Sequence, residues 1–306
     1  MFKNTMDNKR YYTLNYFYKK KFGQKVFKVP LDASFSCPNI DKDTPCIYCN
    51  HKSKANITDS NKSIKEQFKE NIKILEKKWP NSLYIPYFQA GTNTYGPLDK
   101  LKELYELLLN EDKVVGISIA TRPDSISNEL LDYLEYLNKK TFLTIEVGLQ
   151  SSNDETLKYI KRGHDTKCFI DTVKKLKERN IFTVAHIING LPNEDKEDML
   201  NTVRLLNDIN IDGVKIHMLY IEKETELAKI YNDKPFHILT KDEYIDIVVD
   251  ELELLDEDIV IERITGDPIK EELIEPKWLL KKFVVLNDID KEMKKRDTYQ
   301  GKKNLN

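Results

Sequence analysis

The sequence predicts an α/β fold: a parallel (β/α) barrel, or an open portion of one, with a C-terminal α/β extension. Three observations predict it. Short β-rich runs alternate with amphipathic helical stretches up to about residue 220. Most of those runs are apolar almost without interruption, the pattern of parallel strands covered on both faces. Each run ends in a segment with unusual polar, glycine or cysteine content.

The expected strands are 26–32, 83–89, 114–121, 142–149, 182–188 and 213–219. Pro86 falls inside the second, so that strand needs a bulge or an open edge, because a proline nitrogen cannot donate to a ladder. Helices are expected between them. Ser63 caps 64–79, with Glu66 placed for a capping box. Leucines recur at helical spacing in 98–109 and 128–137, and 166–178 and 194–208 complete the set. Six consecutive βα units make a barrel or part of one, with function on the loops at the carboxyl ends of the strands. After Tyr220 the pattern changes to a helix over 242–255, a strand over 259–264 and a polar, basic end. The expected division is an N-terminal basic and aromatic extension over 1–26, the barrel over 27–220, and an extension over 221–306 packed on the barrel. Its last residues, from Gly301, are expected to be disordered.

Composition excludes several classes. The 306 residues carry 49 Lys+Arg against 51 Asp+Glu, so global charge argues neither for nor against nucleic acid. Four cysteines, three of them clustered, are not a disulfide framework, and a reducing, cytoplasmic compartment is expected. No run of about 18 apolar residues is present, so no membrane association is expected. The first residues lack the apolar stretch of a signal peptide.

The chemistry concentrates in Cys37, Cys46 and Cys49, within one thirteen-residue loop after the first strand. A thiolate trio suits zinc or an iron–sulfur cluster. A closed structural zinc site needs four ligands, so three leave one metal position open for chemistry. The other strand ends offer Gln89, Ala90, Gly91 and Thr92, then Arg122, then Glu146 and Gln150, then Gly190, and finally His217. Glu146 and Gln150 alternate with apolar residues, so both can face the barrel mouth and hold a ligand hydroxyl or ammonium. Gly91 and Gly190 permit close backbone approach. Arg122 and Arg162 can grip a carboxylate bidentately. Each residue also has an ordinary alternative: the glycines as turns, Arg122 as a strand stop, Glu146 in a structural pair, His186 and His217 as satisfied core histidines, Cys168 as a buried helix residue.

The motif Cys37…Cys46-x-x-Cys49 at the end of the first strand, with Tyr48 before the last cysteine, resembles the radical S-adenosylmethionine superfamily. Tyr87–Tyr95, Thr121–Asp124, Glu146–Ser151, Arg162–His164, His186–Pro192, Asp212–His217, Thr265–Asp267 and Thr298–Gly301 resemble its YhcC/YtqA-like subgroup, related to the elongator catalytic subunit and the tRNA methylthiotransferases. The resemblance runs from about residue 27 to residue 301. It implies a partial (β/α)6 TIM-like radical SAM barrel and a 4Fe–4S cluster on the three cysteines, with S-adenosylmethionine on the unique iron. It implies reductive cleavage of that molecule to a 5′-deoxyadenosyl radical, with an external electron donor of the flavodoxin or ferredoxin type. By the same resemblance, Tyr48, Gln89 and Arg122 lie in the cofactor site and Ala90-Gly91-Thr92 receives the methionine amino group. Glu146 and Gln150 lie near ribose and methionine, Arg162 partners the carboxylate, and Gly190 and His217 bound the adenine. Two departures stand out: the eight residues between Cys37 and Cys46 contain no glycine, and Ala90-Gly91 replaces a glycine pair.

The related families point to tRNA as substrate, at the wobble-uridine side chain. Lys9, Arg10, Lys19, Lys20, Lys21 and Lys25 interleave with Tyr11, Tyr12, Tyr16, Phe17 and Tyr18, and Lys294, Lys295, Arg296, Lys302 and Lys303 cluster at the other end. Such sets suit phosphate contact and base stacking, or else a solvated tail and a packed N-terminal helix. The rival readings are a Cys3His zinc site completed by His51 in an RNA-binding protein, a cluster serving structure or electron transfer alone, and a radical enzyme acting on a small metabolite. A single cysteine trio speaks against sulfur insertion.

Overall fold

The computed structural model describes residues 2–4, 8–50 and 59–304. The chain runs α1 (Leu14–Phe22), β1 (Val26–Leu31), α2 (Pro38–Asp41), α3 (Ile64–Lys78), β2 (Leu83–Phe88), α4 (Leu98–Glu106), β3 (Gly116–Thr121), α5 (Asn128–Lys140) and β4 (Phe142–Gln150). It continues through α6 (Asp154–Tyr159), α7 (Thr166–Glu178), β5 (Phe182–Asn189), α8 (Lys196–Asp208), β6 (Gly213–Met218), β7 (Ile221–Glu222) and α9 (Glu226–Asp233). It closes with α10 (Lys241–Leu254), β8 (Val260–Arg263), β9 (Leu273–Glu275) and α11 (Lys282–Lys295). All six expected strands form, and the capping box of Ser63 and Glu66 starts α3.

Among the described residues, β1-β2-β3-β4-β5-β6-β8 make one sheet in that order, every neighbouring pair parallel. β1 and β8 are its edges, so the sheet is an open part of a TIM-like barrel. β8 comes from beyond residue 220: the C-terminal part extends the barrel's own sheet as well as covering it. β7 and β9 pair separately and antiparallel.

Pro86 sits inside the sheet with Val29 as its β1 partner. Leu83 and Gln89 donate their N–H groups toward β1, so the period of two turns the nitrogen of Pro86 toward β3. The β2–β3 ladder is interrupted there, with pairing at Tyr84 and again at Tyr87 and Phe88. The gap accommodates the missing donor.

The N-terminal aromatics are structural. Tyr12 carbonyl accepts from Ile261 N–H at 2.8 Å, laying the arm along the β8 edge. Phe17 stacks on Phe182 with ring centroids 4.9 Å apart and lies 6.0 Å from Phe142, so α1 plugs the amino end of the barrel. Tyr11, Tyr12 and Tyr18 are buried. The cysteine loop leaves the opposite end of the sheet from this arm, and the burial of Tyr11, Tyr12 and Tyr18 keeps those rings from stacking on a nucleobase. The C-terminal lysines differ from expectation too. Arg296 pairs with Asp246, Asp250 and Glu292, Lys295 with Glu292, and Lys303 with Glu253. Residues 301–304 are held against α10 by Gly301 N–H to Leu252 carbonyl (3.0 Å) and Lys303 N–H to Glu253 carbonyl (2.8 Å), not the disordered end their composition suggests. Gln300 explains why: fully buried, it accepts from Tyr12 N–H and donates to the carbonyls of Asp256 and Ile259, tying both ends of the chain together. Among the described residues no helix is long and apolar enough to cross a membrane.

Candidate active site

The cysteine loop is pinned before it carries any chemistry. Cys37 precedes Pro38, whose fixed φ starts the short α2. Ile47, between the other two cysteines, is buried among Leu157, Ile160, Leu219 and Leu227, and its backbone bonds to Ile160 carbonyl and Leu227 N–H. Buried Asn39 is a second clasp. Its amide donates to the carbonyls of Lys161 (2.8 Å) and Arg162 (3.2 Å) and lies 3.5 Å from Cys46 Sγ. A third clasp is backbone to backbone: Thr92 N–H donates to Ser36 carbonyl, and Gly91, at φ +73°, lies so close that a Cβ would stand 2.2 Å from the Phe35 oxygen. Here glycine is required by both conformation and space.

A cavity of about 570 Å³ opens at the carboxyl ends of the strands and brings together nearly every expected site residue. Cys37, Cys46, Cys49, Tyr48, Gln89, Ala90, Gly91, Thr92, Arg122, Glu146, Gln150, Arg162 and His217 all line it. Gly190 does not; at φ +80° it follows β5 in a turn packed against Leu239. Arg122 Nη1 lies 3.9 Å from Cys37 Sγ while its fork holds Asp124, and Arg162 Nη1 lies 4.0 Å from Cys46 Sγ. Gly148 makes room for Arg162, since a Cβ there would stand 2.5 Å from its Nη2. Cys49 is the most solvent-open of the three by area, yet enclosure pushes its thiol up to about 12, and the charges of Cys46 and Cys37 add to the push. Among the described residues no three His, Cys, Asp or Glu side chains stand at metal-binding spacing, so the thiols face one cavity without forming a closed cage. His51, the fourth ligand of a zinc site, lies outside the described residues.

Beneath the cavity lies a layer that sequence reasoning missed, built of one polar residue from each strand of the large sheet: Lys28, Tyr87, Ser118, Glu146, His186, Lys215 and Glu262. Glu146 is its hub. One oxygen accepts from Lys28 (2.7 Å) and Ser118 (2.8 Å), the other from Tyr87 (2.7 Å), His186 (2.7 Å) and Lys215. Burial opposes its ionisation, but Lys215 and Lys28 outweigh burial and hold the carboxyl well below the usual range. Both oxygens are taken, so Glu146 supports the cavity floor and is not free to hold a ligand hydroxyl, as its sequence position suggested. Lys28 also meets Glu262 at 2.6 Å, so two lysines balance two glutamates. No fixed spacing in sequence links residues 28 and 262.

His217 stands above that layer. Its Nε2 is buried without a hydrogen-bond partner, its ring lies 5.5 Å from that of His186, and burial, then His186, keep it neutral. Gln150 follows the register shift of β4 against β5 at φ +81°. Three soft thiols, guanidiniums against two of them and an unpartnered imidazole nitrogen fit an anionic iron–sulfur group with a polar organic ligand beside it.

The comparisons agree with this geometry. The profile of the radical SAM superfamily matches residues 36–206, and that of the radical SAM C-terminal domain matches residues 211–295. YtqA of Bacillus subtilis is 41% identical over 298 residues, covering 96% of this chain and 92% of that one. YhcC of Escherichia coli is 29% identical over 276 residues, 89% and 88% of the two chains. Among solved structures, the archaeal Methanocaldococcus infernus Elp3 superposes with a TM-score of 0.68 at 20% identity, covering 90% of this chain and 64% of that one. Methylornithine synthase superposes with a TM-score of 0.53 at 15% identity, covering 94% and 86%. The chain therefore belongs to the radical SAM superfamily, in its YtqA/YhcC group, and is a radical SAM enzyme whose cofactors are a 4Fe–4S cluster and S-adenosylmethionine.

Proposed function

We propose that this enzyme modifies tRNA, at the side chain of the wobble uridine, in the cytoplasm. The observation that carries the reading is similarity to tRNA-modifying proteins over about half of the chain. A probable threonylcarbamoyladenosine tRNA methylthiotransferase of Methanocaldococcus jannaschii is 30% identical over 146 residues, 47% of this chain. A tRNA-2-methylthio-N(6)-dimethylallyladenosine synthase of Fusobacterium nucleatum is 27% identical over 150 residues.

The residues divide the work as follows. Cys37, Cys46 and Cys49 would hold the cluster through sulfur, leaving one iron position for S-adenosylmethionine. Bound there, the two groups would supply reductive radical chemistry, with the electron coming from a flavodoxin- or ferredoxin-type donor. Arg122 and Arg162 offset negative charge beside Cys37 and Cys46. Arg162 is placed for a carboxylate and the backbone of residues 90–92 for an amino group. Gln150 and the free His217 nitrogen are placed for polar groups of the nucleoside. The charged layer centred on Glu146 keeps the floor rigid.

The test is nucleoside mass spectrometry of unmodified tRNA after incubation with reconstituted enzyme, S-adenosylmethionine and reductant. A mass change confined to the wobble uridine and dependent on S-adenosylmethionine is expected. Unaltered tRNA from an enzyme that forms 5′-deoxyadenosine would transfer the reading to a small metabolite.

A further inference from the structure

With the aromatic arm folded away and Lys295, Arg296 and Lys303 ion-paired, another surface is better placed to meet an RNA substrate. It stands beside the cavity mouth. The segment 277–284 turns Leu279 inward and hangs Trp278 from Leu239 carbonyl at 3.1 Å. Its outward side carries Leu280, Phe283 and Val284, at helical neighbour spacing, exposed by 40%, 79% and 44%. Lone exposed apolar residues are ordinary, but a ring four-fifths open within a contiguous set is not. Exposed Lys277, whose ammonium also donates to the Leu273 carbonyl, and exposed Lys281 flank it.

The patch is continuous with the site. Lys282 grips both oxygens of Asp267 (2.6 and 2.7 Å), and the same carboxylate meets Arg263 at 3.3 Å. Arg263 lines the cavity. Two cations thus share one anion and leave a net positive charge at the rim. The other side of the segment leads to the cysteines: β9 pairs with β7, and Lys223 after β7 accepts from Asn50 beside Cys49. Of the acids near the segment, Glu275 accepts from the N–H of Lys277 and Asp288 meets Lys241 and Lys291, while Glu271 and Glu272 lie before β9.

We propose that residues 277–284, with Lys282 and Arg263 joining them to the cavity, form the RNA docking surface: Lys277 and Lys281 take phosphates and Phe283 stacks on an unpaired base. This rests on the tRNA reading above and adds where the RNA lies. A basic surface with one open aromatic ring suits a single-stranded loop, whose bases are unstacked, better than a duplex.

The test uses the full chain and a fluorescein-labelled tRNA transcript, followed by anisotropy across a potassium chloride series. Lys277→Glu/Lys281→Glu weakens binding tenfold or more, and the slope of log affinity against log salt falls by about two, one per phosphate contact. Phe283→Ser weakens binding about fivefold or more and leaves the slope unchanged. Lys19→Glu/Lys20→Glu/Lys21→Glu, at the opposite end, binds as the unmodified chain does. All these variants retain 5′-deoxyadenosine formation with dithionite, which separates docking from the radical site. If the unmodified chain itself binds no tRNA, the tRNA reading fails and the surface with it. If it binds and the 277–284 variants bind equally well, only the surface assignment falls. If those variants bind tRNA normally yet lose reduction by flavodoxin, the patch belongs to the electron donor and the RNA assignment is overturned.

Discussion

Lys28 on the first strand and Glu262 on the last meet at 2.6 Å across the open seam of the barrel, 234 positions apart in the chain. Their side chains are 11% and 1% exposed, and both connect to Glu146 on the central strand, directly or through Lys215. The sheet does not close by hydrogen bonds between β1 and β8, so this charge layer and the N-terminal arm close it instead.

Breaking one member of such a layer leaves its partners buried and uncompensated. Lys28→Met should destabilise by about 3–5 kcal/mol. Lys28→Met/Glu262→Leu should cost clearly less than the sum of the two single changes, because the double change removes a balanced pair. A double-mutant cycle by urea unfolding checks this, and additive effects would contradict it.

Two glycines separate strain from contact. Gly23 and Gly91 have nearly the same φ, +72° and +73°, but a Cβ at Gly23 meets nothing within 4 Å, while one at Gly91 meets the Phe35 oxygen. Gly23→Ala should cost about 1 kcal/mol and leave iron content unchanged. Gly91→Ala should shift the loop before Cys37 and lose iron as well. Calorimetry and iron analysis on both variants decide it.

Asn39 ties the cysteine loop to the turn at residues 161–162 without being a ligand itself. Asn39→Ala should fold, with a melting temperature lowered by several degrees, and should lose its iron faster to a chelator than the unmodified chain. Equal rates of iron loss would remove Asn39 from the site.

Burial, and then Arg162, lower His164 to about 4, and burial, then His186, hold His217 well below its ordinary value. Unfolded, each takes a proton below about 6.5; folded, neither does until lower pH. Stability from these residues is therefore full above about 6.5 and lost as pH falls from there, by up to about 1.4 kcal/mol per pH unit for each. Glu194 and Glu251, raised by burial to about 7 and about 8, act in the opposite direction over part of that range. The difference between the unmodified chain and His217→Gln isolates one histidine. Urea midpoints at pH 7, 6 and 5 should show the variant losing less stability on acidification.

The strands were legible because parallel strands covered on both faces must be apolar throughout, and their polar carboxyl ends marked the cavity. The cysteine trio was legible because its members lie in one loop. What sequence could not show depends on closure in space. Lys28 and Glu262 carry no signal in the sequence, because only the curl of the sheet brings its two edge strands together. The aromatic arm read equally as an RNA contact, since composition does not say which end of a barrel it plugs. Glu146 stood at the right height but its neighbours, not its position, decide whether its oxygens are free. α11 was hidden in a lysine-rich stretch whose buried side is only Val285, Ile289 and Met293. β7 and β9, two and three residues long, are too short for periodicity to mark.

The most direct test of the central claim is anaerobic reconstitution with iron and sulfide, reduction by dithionite, and assay of 5′-deoxyadenosine from S-adenosylmethionine, comparing the unmodified chain with Cys37→Ala, Cys46→Ala and Cys49→Ala. The account predicts a brown protein that forms 5′-deoxyadenosine and three variants that form none. A colourless, zinc-loaded protein without product, or product undiminished in the cysteine variants, would contradict it.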